Sequence, residues 1–295
     1  MMQTIKSNST LFLSFALLIL SLTFSCNSNE KHIHELISAS KTSLKNKNYS
    51  NALKQIDSVL RLDSLNYEAW LVKGKIHDRI ENHELALEAY FKAKSLNKND
   101  TLYSLIGKTY FSSASPEMGA SGTIGNKYFK AVQYLDSSLI YNSNLYDSWV
   151  LKTKSLHNSE NHKDALATVN RAILIFPDSI ELQLIRGIEK GFVGDKKGSI
   201  EDLSKLIERD EFSDLQKAMA YRFRGITYGE IGYNDKAKRD YTSSIELDKE
   251  EYGAYLNRGI ISLEENKLDD ACQDFRKAAD LGLTDAFEYI ETYCQ

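Results

Sequence analysis

Several stretches of the chain carry residues whose type and spacing could do chemistry. His34-Glu35 and His83-Glu84 begin like a metalloprotease helix, in which two histidines one turn apart hold zinc and the glutamate acts as general base. Ser38 and Leu87 stand where the second histidine is required. Gly107-Lys108-Thr109 resembles the end of a phosphate-binding loop, but Leu102 occupies the place of the first glycine. The stretch GASGTIGNKY is glycine-rich, lacks Gly-Lys-Ser/Thr and follows no strand. His32 and His34 have no third ligand partner, and a pair alone makes a poor metal site. The carboxylate pairs Glu264-Glu265 and Asp269-Asp270 fall at turns, where solvated charge is ordinary. No nucleophile-base grouping emerges. The expectation is therefore no catalytic residue, no metal, no cofactor and no small-molecule substrate.

The elements that would position any such group are helices. In residues 67–100, Trp70, Gly74 and His77 fall on one helical face, and Ala86, Tyr90 and Ala93 fall on a second. A short polar join, IENHE, makes the two helices antiparallel neighbours. Gly74 and Ala86 allow close approach, while Trp70 and Tyr90 fill the space beside them. A hairpin like this cannot bury its apolar face alone and needs a like neighbour on each side.

Variants of this hairpin recur along the chain, and the pattern resembles the tetratricopeptide repeat. Residues 33–66 carry it in Ala52, Ile56 and Val59, with Ser40 at the small position. After 67–100, the third copy, 101–145, has Tyr103, Gly107, Tyr110, Tyr128 and Ala131, split by a Gly/Ser/Pro-rich insertion at 112–126 that reads as a mobile loop. The fourth, 146–179, has Trp149, Ala165, Ala172 and Pro177; the fifth, 180–217, has Gly187, Ser199 and Leu203. The sixth, 218–251, has Gly225, Ala237 and Tyr241, and the seventh, 252–284, has Gly259, Ala271 and Phe275. Residues 285–295 read as a capping helix. His77 and Lys98 depart from the commonest choices of the family. The resemblance implies an all-α fold: a right-handed superhelical solenoid of about seven helix-turn-helix repeats plus a C-terminal capping helix.

Composition agrees with a folded helical chain. The 295 residues are 42% hydrophobic and 26% charged, with 2 prolines. A net charge of −4 and a pI near 5.9 give no electrostatic case for nucleic acid. At the amino terminus, Lys6 precedes an apolar run from Leu11 to Phe24, short for a spanning helix and right for an export signal. Leu22-Thr23-Phe24-Ser25-Cys26 resembles a bacterial lipoprotein signal. It implies that residues 1–25 are a signal peptide, that Cys26 carries lipid, and that 26–32 form a tether. The expected location is the bacterial cell envelope, lipid-anchored and facing the periplasm, at the outer membrane rather than the inner.

Two further patterns concern stability. Arg186, Arg224 and Arg258 each precede the small glycine of a repeat, and Asp202, Asp240 and Asp274 each follow 16 residues later. Equal spacing in three repeats points to an Arg–Asp clamp inside each hairpin. Cys272 and Cys294 lie at ends of consecutive antiparallel helices. They are either a disulfide or two packed thiols.

The resemblance also places a binding surface. In the family the first helices line a concave groove. The ninth repeat position, which faces that groove, is Lys75, Lys108 and Lys154 in repeats two to four, then Ile188, Ile226 and Ile260 in repeats five to seven. Leu184, Arg222, Phe223, Leu256 and Asn257 would extend the second half. The expected function is a noncatalytic scaffold that binds a protein or peptide through this groove, the alternative being a glycan or cell-wall binding protein that uses Tyr and Trp as stacking platforms.

Overall fold

The computed structural model describes residues 29–114 and 121–294. The signal region 1–25 and Cys26 lie outside these residues. The fold has two units, up to Ser143 and from Asn144 onward, each a run of antiparallel helix hairpins. The first holds α1 (29–45), α2 (Tyr49–Leu62), α3 (Tyr67–Arg79), α4 (His83–Leu96), α5 (Asp100–Ser112) and α6 (Ser121–Tyr141). The second holds α7 (Tyr146–Asn158), α8 (His162–Ile175), α9 (Ile180–Phe192), α10 (Lys196–Ile207), α11 (Asp214–Glu230), α12 (Asn234–Leu247), α13 (Tyr252–Glu264), α14 (Leu268–Asp280) and α15 (Asp285–Tyr293). The described residues contain no strand. Within each unit consecutive helices pack on one another, and in the second unit α9 also packs on α11 and α11 on α13.

Local chemistry starts and stops these helices. Asn48, Asn66, Asn82 and Asn99 precede α2, α3, α4 and α5, and each side chain accepts a hydrogen bond from a backbone N–H of the first turn. Ser213 and Gln216 close a reciprocal capping box on α11. Among the described residues, six hairpin turns place one residue at positive φ just before the second helix: Lys47, Glu81, Glu160, Gly194, Gly232 and Asn266. A left-handed residue there reverses the chain in three or four residues.

The small residue of each first helix is fixed by contact with the second. A Cβ added at Gly225 would lie 2.7 Å from the Tyr241 ring, and one at Gly259 would lie 2.7 Å from Phe275. Gly74 stands in the same way against Tyr90, which is fully buried. Ser40 occupies that position in the first repeat, where its hydroxyl donates to the Ala52 carbonyl at 2.9 Å.

The third hairpin differs from the expected loop over 112–126. Helix α5 runs through Ser112 and α6 begins at Ser121, so part of the insertion lengthens α6 to 21 residues. Residues 115–120 lie outside the described set. Two side chains of α6 reach back to the end of α5: Lys127 Nζ donates to the Ser113 carbonyl and the Tyr128 hydroxyl to that of Ala114. These bonds occupy carbonyls that a helix end would otherwise leave to solvent.

The three Arg–Asp pairs form inside their hairpins. Arg224 grips Asp240 with Nε at 2.8 Å and Nη2 at 2.7 Å, and Arg258 grips Asp274 with both nitrogens at 2.8 Å. Arg186 bonds Asp202 through Nε at 2.8 Å, and Lys190 meets the same oxygen. The third nitrogen extends the clamp to the preceding hairpin: Arg224 Nη1 donates to Ser204 and Arg258 Nη1 to Thr242. At the carboxyl end Cys272 and Cys294 are joined as a disulfide, which ties α15 to α14.

Candidate functional site

The residue that organises the candidate site is Asp78, on the last turn of α3. Its carboxylate accepts from the Tyr90 hydroxyl of α4 at 2.7 Å and from the Thr109 hydroxyl of α5 at 3.0 Å. Burial, and then the neighbouring Asp78 charge, push the Tyr90 phenol far above its ordinary range, so it stays protonated and donates. Asp78 is thereby satisfied from within the repeat framework.

Around it opens a cleft of about 580 Å³. Its wall is built from the end of α1, the α1–α2 turn, α3, the start of α4 and α5. Lys45, Lys47, Lys75, Arg79 and Lys108 line it, and Asp78 is the only carboxylate that does. The helical register explains two of these positions. Lys75 follows Gly74 and Lys108 follows Gly107, so each leaves its helix beside the face that packs on the hairpin partner. Lys47 reaches the cleft because it is the left-handed residue of its turn. None of the five cations is in an ion pair with a described residue.

Partial burial lowers the Lys75 pKa, and the charge of Lys41 lowers it further, against an opposing pull from Glu68. A cation held in low dielectric near other cations gains from an incoming anion. The cleft can therefore bind negative charge.

The structure brings Lys75 and Lys108 together, as the shared register implies. Lys154 lies in the second unit, and its Nζ pairs with Glu181 at 2.8 Å. The residues expected to form the apolar half of the groove divide by burial. Leu184 and Ile188 are only 4% and 7% exposed and belong to a core cluster with Leu203, Leu206, Phe212 and Ala220. Phe223 packs half-buried against that cluster, and Ile226 and Leu256 pack half-buried against another. Asn257 and Ile260 are half-buried too. Arg222 pairs with Glu251 at 3.0 Å and stacks on Phe223. Leu184 and Ile188 are covered by α10 and α11, and the remaining positions lie where α11 packs on α9 and on α13.

Sequence reading missed Lys45, Lys47 and Arg79. The clue was the charge at the first two hairpin ends, KNKN and HDRIEN, which has no meaning until the hairpins stack. Of the Tyr and Trp side chains that a stacking platform would use, Tyr90, Tyr103, Tyr128, Trp149, Tyr241 and Tyr255 are buried, while Tyr141, Tyr233, Tyr252 and Tyr293 are exposed.

Comparison with known proteins agrees with this architecture. Residues 40–99 match the family model described as tetratricopeptide repeat. A tetratricopeptide repeat protein of Parabacteroides merdae, known from a crystal structure, superposes with a TM-score of 0.69 at 21% identity, covering 90% of this chain and 100% of that one. YrrB, described as a tetratricopeptide repeat protein with an unusual peptide-binding site, gives 0.52 at 18% identity over 68% of this chain and 95% of that one. Among curated proteins, an Arabidopsis thaliana DnaJ protein P58IPK homolog is 24% identical over 59% of this chain, and human tetratricopeptide repeat protein 13 is 28% identical over 48%. The chain spans only 37% and 15% of the lengths of these two relatives.

Proposed function

We propose that this tetratricopeptide-type chain is a noncatalytic scaffold that captures an acidic segment of a protein or peptide partner in the basic cleft of its first unit. The observation that carries the reading is the charge of the cleft: five cations face one carboxylate that two hydroxyl donors already satisfy. Such a surface steers and holds anionic segments. The description of YrrB as peptide-binding supports the class of ligand by analogy of fold.

Titration of a fluorescent Asp/Glu-rich peptide, followed by anisotropy, tests the proposal. Lys75→Glu and Lys108→Glu are each expected to weaken binding about tenfold or more, some 1.4 kcal/mol, and added salt should weaken it further. Equal affinity of the wild type and both variants would sink the reading.

The scaffold is further proposed to be a lipoprotein of the bacterial cell envelope, facing the periplasm and anchored through Cys26. The apolar run Leu11–Phe24 and the Ser25-Cys26 junction support this. A disulfide between Cys272 and Cys294 fits an oxidising compartment. No helix of the described residues is long and apolar enough to cross a membrane. Labelled palmitate fed to expressing cells should appear on the wild-type chain and be lost in Cys26→Ala; label retained by the variant would exclude the anchor.

A further inference from the structure

A second cluster of chemically capable side chains lies in the second unit, at the tip of the α7–α8 hairpin. Glu189, on α9, is 1% exposed. Each of its oxygens meets an imidazole: Oε1 lies 2.6 Å from His157 Nδ1 and Oε2 lies 3.0 Å from His162 Nδ1. His157 comes from the last turn of α7 and His162 is the first residue of α8. The turn between them reverses through Glu160 at positive φ. The Phe192 ring stacks on His162 at 4.3 Å between centroids and meets His157 edge-on at 5.2 Å, which fixes both rings. The three donor atoms lie within 4.8 Å of one another.

A carboxylate this deeply buried needs a positive partner. The lysines nearest in sequence are committed elsewhere: Lys190 to Asp202 at 2.8 Å and Lys196 to Glu230. Among the described residues no lysine or arginine pairs with Glu189; both of its salt-bridge partners are histidines. Neutral imidazoles would give it two N–H donors and leave its charge uncompensated. A divalent cation would compensate it and use both Nδ1 lone pairs, with each ring proton moved to Nε2 or released.

We propose that His157, His162 and Glu189 bind one divalent transition-metal ion, with zinc the best match. Two imidazole nitrogens and a carboxylate oxygen form a zinc-type donor set. Tetrahedral bonds near 2.0–2.1 Å would set the donors about 3.3 Å apart, so the 2.6 Å and 3.0 Å contacts to the carboxylate would open and any donor pair near the 4.8 Å limit would close. Both histidines are partly exposed, which gives an ion a way in and leaves a coordination position open to water. The ion would staple the α7–α8 hairpin to the first helix of the next one.

The test is titration of the full chain, without a histidine tag, with Co²⁺ as a visible probe, together with zinc counting after equilibrium dialysis. The expected result is one ion per chain, with the absorption of low-coordinate cobalt bleached by zinc. His162→Ala and Glu189→Gln should each weaken uptake at least tenfold while helical circular dichroism is retained. A wild-type chain that takes up no ion saturably overturns the proposal whatever the variants do. So does a His157→Ala/His162→Ala chain that binds as tightly as wild type, since the ion would then sit at His32, His34, His77 or His83.

Discussion

Asp240→Ala is expected to destabilise the second unit by about 3–5 kcal/mol, the cost of stranding a buried charge. Asp240 and Arg224 are both largely buried, and the guanidinium meets the carboxylate through two parallel hydrogen bonds. Burial opposes the charge on Arg224, but the hydrogen bond and charge of Asp240 outweigh it and raise its pKa. Without the carboxylate, Arg224 would keep the Ser204 hydroxyl and the Tyr221 and Tyr228 rings as neighbours, none of them an anion, and the desolvation would remain. A control separates charge from packing. The double variant Arg224→Met/Asp240→Leu removes both charges together and should lose much less than the single variant. Urea unfolding followed by circular dichroism, with hydrogen exchange on α11 and α12, provides the measurement. A single variant no worse than the double would show that the pair is a solvated ornament. Because Arg224 also reaches Ser204 on α10, the loss should spread to the preceding hairpin.

Loss of the Cys272–Cys294 bond should cost about 3 kcal/mol, the chain-entropy value for a loop closed across a sequence separation of 22. The effect should be local, since repeat arrays are stabilised between nearest neighbours. Helix α15 has nine residues, only Ala286 of which is buried, and it leans on α14 through the Phe275–Tyr289 ring contact. A helix this short is marginal without a tether. Under reducing conditions, or in Cys272→Ala/Cys294→Ala, amides of α15 should lose exchange protection while those of α11 and α12 keep theirs. Unchanged protection of α15 would mean that packing alone holds the cap.

The two predictions differ in how far sequence could anticipate them. The Arg–Asp clamp was readable because both partners lie in one hairpin, 16 residues apart in three copies, and the hairpin geometry is itself set by local spacing. The same holds for Gly74 and Tyr90, whose contact stays within a single repeat. Lys75 and Lys108 were readable as a pair since they share one register in successive repeats. The Lys45, Lys47 and Arg79 contributions to the cleft were not, because two hairpin ends and a third helix must stack before those charges converge. The histidine–glutamate cluster is a stronger case: His157 and Glu189 are 32 residues apart and belong to different repeats.

Periodicity, capping residues and the alternation of small and large side chains determined the helices, the hairpins and the contacts inside each repeat, because all of these depend on neighbours within about one repeat length. Which repeat faces touch depends on the angle at which one hairpin stacks on the next, and that angle is a sum of many side-chain contacts. It decided that Ile188 and Leu184 enter a core cluster while Lys75 and Lys108 line a cleft. It also decided that a buried carboxylate on α9 would meet two imidazoles from the preceding hairpin.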